Sequence, residues 1–138
     1  MAESSASQCL RLAVVGAHLT GMPLNHELTS RNAVFVATTT TASKYRLYEL
    51  TGVAPPKPGI SRCENAAGAA IEVELWDIPL DSVGSFLAGI PSPLGLGTLE
   101  LCDGGVVHGF ICEGYALEKA VDITAFGGWR SYRASVGT

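Results

Sequence analysis

The chain is poor in charge and has no strong field of either sign. Only 16% of its 138 residues are charged, and 9 Lys and Arg against 13 Asp and Glu leave a net charge of −4. The cations stand singly. That argues against nucleic acid and against an anionic membrane surface as partners. Long apolar runs are missing too, although 47% of the residues are hydrophobic. Gly, Asn, Asp or Pro interrupts each run before the roughly 20 residues that a spanning helix needs. The start, "MAESSASQCL", has neither a basic end nor an apolar centre, so it does not read as an export signal. Residues 1–9 read as a flexible, solvated tail, and residues 10–138 as one domain.

Cysteine pairs are also absent. Cys9, Cys63, Cys102 and Cys112 form no CxxC, which removes the usual zinc spacing. Without an export signal the expectation is four reduced, mostly buried thiols in a cytoplasmic protein. The chain has no GxSxG, no P-loop, no GxGxxG opening a helix and no HExxH. Its histidines, His18, His26 and His108, are not spaced as metal ligands.

What is present is a strand-rich pattern. "LRLAVVG" (10–16) is a continuous apolar run ending in glycine, as in a strand buried on both faces. "AVFVATTTTA" (33–42) and "KYRLYEL" (44–50) are β-branched or aromatic. "GVAPPKPG" (52–59) reads as a stiff loop, because three prolines remove three donors. "AIEVELWDI" (70–78) alternates. Ile71, Val73 and Leu75 fall on an apolar face, and Glu72, Glu74 and Trp76 on a wet one. In "PLDSVGSFLAGI" (79–90), Val83, Phe86, Leu87 and Ile90 recur at helical spacing and should bury. "PSPLGLG" (91–97) reads as a connector. A hairpin follows, from Thr98–Cys102 through Asp103-Gly104-Gly105 to Val106–Glu113. The end holds Trp129 and Tyr132 in a helical turn. The class is α+β, with a mainly β core able to close into a barrel.

One loop stands out for chemistry. In "VVGAHLTGMPLNHEL" (14–28) a buried strand ends at Gly16 beside His18, Thr20 and Asn25. Turn N–H groups there can face an anion, and a histidine titrates in the range that suits proton transfer. The alternative is a histidine that only holds the loop's shape. Asn25 also suits the N-cap of the next helix. His26 and His108 read as structural or exposed. Arg46 and Arg130, each near aromatics, suit carboxylate pairing or surface stacking. Glu72 and Glu74 read as solvating a wet strand face.

Five segments in order carry a resemblance: "GAHLTGMPLN" (16–25), "YRLYEL" (45–50), "PPKPG" (55–59), "IPSPLGLGTLEL" (90–101) and "DITAFGGWRSY" (122–132). Together they resemble the C-terminal domain of allophanate hydrolase over residues 10–134. The resemblance implies a γ-glutamyl cyclotransferase-like fold, a small mixed β-barrel with a few short helices around it. It places Gly16-Ala17-His18-Leu19-Thr20-Gly21 where that fold binds carboxylate and amide groups through backbone N–H. The catalytic glutamate of the cyclotransferases has no counterpart here, since no acid occurs from Ala88 to Gly97. Cyclisation needs a base for its amine, so that activity is not expected.

The family's amidase half releases ammonia from allophanate. The C-terminal domain is thought to speed decarboxylation of the product, N-carboxycarbamate, with no metal or organic cofactor. On that reading His18 donates a proton. Gly16, Ala17, Leu19 and Thr20, with Asn25 and Arg46, hold the anion, and Tyr45 hydrogen-bonds to it. Nothing like the amidase's Gly/Ser-rich signature occurs, so an amidase partner is implied. The chain reads either as a free-standing relative or as an excised domain, and the Met1 start with its polar tail favours the former. The other reading is non-catalytic: a binder of small carboxylates or an assembly module for an amidase. A short chain with apolar loops also leaves room for a homodimer.

Overall fold

A computed structural model describes residues 8–137. Most of the tail expected over residues 1–9 lies outside the described residues. Cys9 does not belong to a tail, because it opens the first strand, β1 (Cys9–Val14), opposite Pro79. The further strands are β2 (Val34–Thr40), β3 (Tyr45–Glu49), β4 (Pro58–Arg62), β5 (Glu72–Pro79), β6 (Leu94–Glu100), β7 (Val106–Cys112) and β8 (Val121–Asp122). The helices are α1 (His26–Thr29), α2 (Leu80–Ala88) and α3 (Trp129–Ser135), with two short 3₁₀ turns between β7 and α3.

Five strands form one sheet in the order β2-β5-β1-β7-β6, and β4-β3-β8 form a second. β1 runs antiparallel to β5 and parallel to β7. Its second half lies in the middle of a mixed sheet with both faces covered, which suits an apolar sequence. Leu12, Ala13 and Val14 are fully buried there, whereas Arg11 in its first half is exposed and pairs with Asp77 at 2.8 Å. The expected closed barrel is not formed. Beyond β2 and β6 the chain meets at a single bridge, Thr41 to Leu101, so the sheet curls without pairing along its two edges. The α+β class holds.

Several local expectations change. β5 has no wet face, because Glu74 and Trp76 are both buried. Strands β1 and β2 flank it, Phe35 packs edge-on against Trp76, and Thr20 and Arg130 reach over Glu74. In α2 only Phe86 is fully buried, and Leu87 is 48% exposed. This helix has one turn facing the core, which is too little to cover every apolar side chain. "PLGLG" is strand rather than connector, since Leu94 to Leu99 pair with Cys112 to Val107. Of its two glycines, Gly97 is required by packing and Gly95 is not. A Cβ on Gly97 would come within 2.7 Å of Ile111. Pro58 begins β4, the strand position where a missing N–H costs least. The cysteines form no disulfide, but they are not mostly buried: Cys102 is exposed and the others are half-buried. Among the described residues no helix is long and apolar enough to cross a membrane.

Candidate functional site

β1 leaves the sheet at Val15 and turns at once. Leu19 N–H bonds back to Gly16 O at 3.0 Å, and Leu24 N–H to Ala17 O at 2.8 Å. The turn presses against the start of β4. A Cβ on Gly16 would lie 2.2 Å from Pro58 Cδ, so only glycine permits this approach. The contact forms a narrow cleft with room for about one water, lined by Val15 to His18 from the loop, Lys57 and Pro58 from β4 and its approach, and Leu94 and Phe110 from β6 and β7.

His18 is 7% exposed. Its ring stacks on Phe110 with centroids 4.9 Å apart and meets Phe86 edge-on at 5.3 Å. Nε2 lies 2.8 Å from Glu27 Oε1 on α1. A carboxylate can only accept, so Nε2 carries the proton and Nδ1 keeps the lone pair of the neutral ring. Nδ1 has no protein partner among the described residues. Burial lowers the His18 pKa from its ordinary 6.5, against the opposing pull of Glu27, and nearby Lys57 lowers it further. The resting imidazole is therefore biased towards the neutral form. The N–H groups of Ala17 and His18 donate to no acceptor among the described residues, and both residues line the cleft.

Of the residues expected at an anion site, Gly16, Ala17 and His18 line this cleft. Leu19 is buried beside them in the core. Thr20 turns the other way, and its N–H and Oγ1 both donate to Glu74 Oε1 at 2.9 Å. Asn25 stands at the N-cap position without capping, and its Nδ2 donates to His18 O at 2.9 Å. It shapes the loop behind the histidine. Tyr45 and Arg46 lie on β3 and do not line the cleft. The Tyr45 hydroxyl accepts the Glu100 N–H at 2.9 Å. Arg46 pairs with Asp122 at 2.7 Å and donates to Ala67 O. His26 is exposed on α1 and bonds to Pro23 O, while His108 is exposed on β7. Arg130 does pair with a carboxylate, Glu74 at 2.9 Å.

Two residues of the site escaped the sequence reading. Lys57 lay inside a segment read only as a stiff loop. Glu27 follows His18 by nine positions, and only the return of the chain through α1 brings them together. No carboxylate lines the cleft. Among the described residues, no group of three His, Cys, Asp or Glu side chains gathers as a metal site would.

The fold is of the γ-glutamyl cyclotransferase type. A γ-glutamyl cyclotransferase structure shares the fold at TM-score 0.54 and 12% identity, over 83% of this chain and 69% of that one. The family model of the allophanate hydrolase C-terminal domain matches residues 10–134, and the chain belongs to that family. Urea amidolyase of Saccharomyces cerevisiae is 43% identical over 129 residues, 91% of this chain and 7% of that protein. The crystal structure of Kluyveromyces lactis urea amidolyase matches with TM-score 0.90 and 41% identity, over 94% of this chain and 8% of that one. A structure of a uropathogenic E. coli-specific protein matches with TM-score 0.84 and 32% identity, over 91% of this chain and 96% of that one. The chain thus spans only a small fraction of the urea amidolyases it matches.

Proposed function

We propose that the domain speeds decarboxylation of N-carboxycarbamate, the dianion that an allophanate amidase leaves behind, and that it works beside such an amidase in the cytoplasm. The observation that carries this reading is His18. Its ring is fixed by two phenylalanines, its Nε2 is bound to Glu27, and its other nitrogen is left without a partner at an anion-ready loop.

In the reaction the bond between nitrogen and one carboxylate carbon breaks. CO2 departs, and the electron pair stays on nitrogen. A proton from His18 Nδ1 meets that pair and yields carbamate. Only interactions that strengthen as charge moves onto nitrogen accelerate the step. The resting ring is biased towards neutral, so the donor form must be created by the ligand. A dianion in the cleft favours the imidazolium, and Glu27 accepts from Nε2–H in either form. The Ala17 and His18 N–H groups receive the carboxylate that stays. Cyclotransferase chemistry lacks its base, since no carboxylate lines the cleft.

The test supplies allophanate to an amidase lacking this domain and follows CO2 release after ammonia release. Added wild-type domain should quicken CO2 release. His18→Gln should lose about 100-fold or more of that gain while still binding malonate, the unreactive isostere. The domain alone should release no ammonia from allophanate. A wild-type domain that leaves the CO2 rate unchanged overturns the catalytic reading. A His18→Gln variant altered only in malonate affinity would make the domain a carboxylate binder for its amidase.

A further inference from the structure

Of the nine Lys and Arg side chains, Lys57 alone is buried without a partner among the described residues. It is 9% exposed. Each arginine and Lys44 has a carboxylate, hydroxyl or carbonyl partner, and Lys119 is exposed. Its stem is packed away while Nζ, with no acceptor among the described residues, reaches solvent. The fold holds its backbone in place. Leu50 N–H bonds to Lys57 O at 3.1 Å, and the next residue, Pro58, is pressed on Gly16. Lys57 lines the same cleft as His18. Its natural counter-charge within the protein is missing there, because the lining has no carboxylate and Glu27 is bound to His18.

We infer that Lys57 is the specificity-determining residue of the cleft: its ammonium meets the second carboxylate of the ligand and selects dianions over monoanions of the same shape. The inference rests on the dicarboxylate reading of the site and adds to it the group that counts charges. The loop N–H groups are neutral donors, and any carboxylate satisfies them. A fixed cation distinguishes a ligand with two carboxylates from one whose second carboxylate is replaced by an amide. Charge-assisted hydrogen bonds are also about twice as strong as neutral ones.

The test pairs malonate with malonamate, its monoamide, which keeps the shape and loses one charge. Both are titrated into wild type, Lys57→Met, Lys57→Gln and Lys57→Arg, with affinities from calorimetry and folding checked by amide NMR. Wild type should prefer malonate by about 10- to 100-fold. The neutral variants should bring that preference to within about threefold, chiefly by losing malonate, and Lys57→Arg should restore part of it. Lys57→Met should fold like wild type, since it keeps the packed stem and drops only the ammonium; Lys57→Gln answers the same question should Met fail to fold. A neutral variant that keeps the wild-type preference overturns the inference and leaves the dicarboxylate site standing. A wild type that binds neither ligand overturns both.

Discussion

On one side of the loop that follows β1, Glu74 is buried with four donors on its two oxygens: Thr20 N–H, Thr20 Oγ1, Trp76 Nε1 and Arg130 Nη2. On the other side Lys57 packs its stem away, and its ammonium has no partner among the described residues. The loop itself is common to both. Thr20 O accepts Arg130 Nη1 at 2.9 Å, so α3 holds the loop from outside while its Gly16–His18 segment faces the cleft. A buried charge whose partners all come from the protein fixes shape, and removing it breaks the set. An ammonium on a packed stem with no partner among the described residues is free to take one from outside, which is the basis of the inference at Lys57. The trough on the Glu74 side is much the roomier, yet its carboxylate is already satisfied. Volume and unmet charge therefore point to opposite sides of the loop.

The comparison breaks most visibly at Glu74. Glu74→Ala should cost about 3 kcal/mol of stability, since it strands the Trp76 and Thr20 donors and frees Arg130. Urea denaturation measures this. A loss below about 1 kcal/mol would mean that the network is idle. The cleft side is sharpened next by Gly16→Ala. The new methyl meets Pro58, and overpacking of this kind costs about 1–3 kcal/mol. Because Pro58 must move, Lys57 moves with it, and malonate affinity should fall further than stability alone explains. The smallest effect is acid sensitivity. The folded His18 pKa lies below its unfolded value of 6.5, so between the two the unfolded chain binds more protons. Stability should be full above about pH 6.5, decline as pH falls towards the folded pKa, and level off below it. His18→Gln should remove that part of the slope while leaving the part due to carboxylates.

The strand-ending loop was legible because its signals are local: an apolar run, a glycine where the chain turns, and a histidine two residues on. The same holds for β1, β3 and the Trp129 helix. The errors share a different origin. The closed barrel failed because closure depends on how two distant edges meet, and they meet only at Thr41 and Leu101. The wet face of β5 failed because alternation says which side chains share a face, not what lands on that face. Here Arg130, 56 residues away, covers it. β6 was missed over Leu94–Gly97 because its glycines read as flexibility, when Gly97 is there to let Ile111 approach. Arg46 had aromatic neighbours like a ligand-binding arginine, but its partner is Asp122 on the adjacent strand. Lys57 was the hardest to see. Its burial follows from Pro58 resting on Gly16, and neither residue names the other in the sequence.

The contact between Gly16 and Pro58 also bears on speed. It pins two segments that lie far apart in the chain, so the floor of the cleft is fixed before any ligand arrives. The free space there is close to that of one water, so a dicarboxylate must part the outer walls as it enters, and that opening draws on the binding energy. Association should then be slower than diffusion, with amide shifts that reach beyond the lining residues. Selectivity would be exerted at the rate of departure, where a mismatched charge leaves sooner.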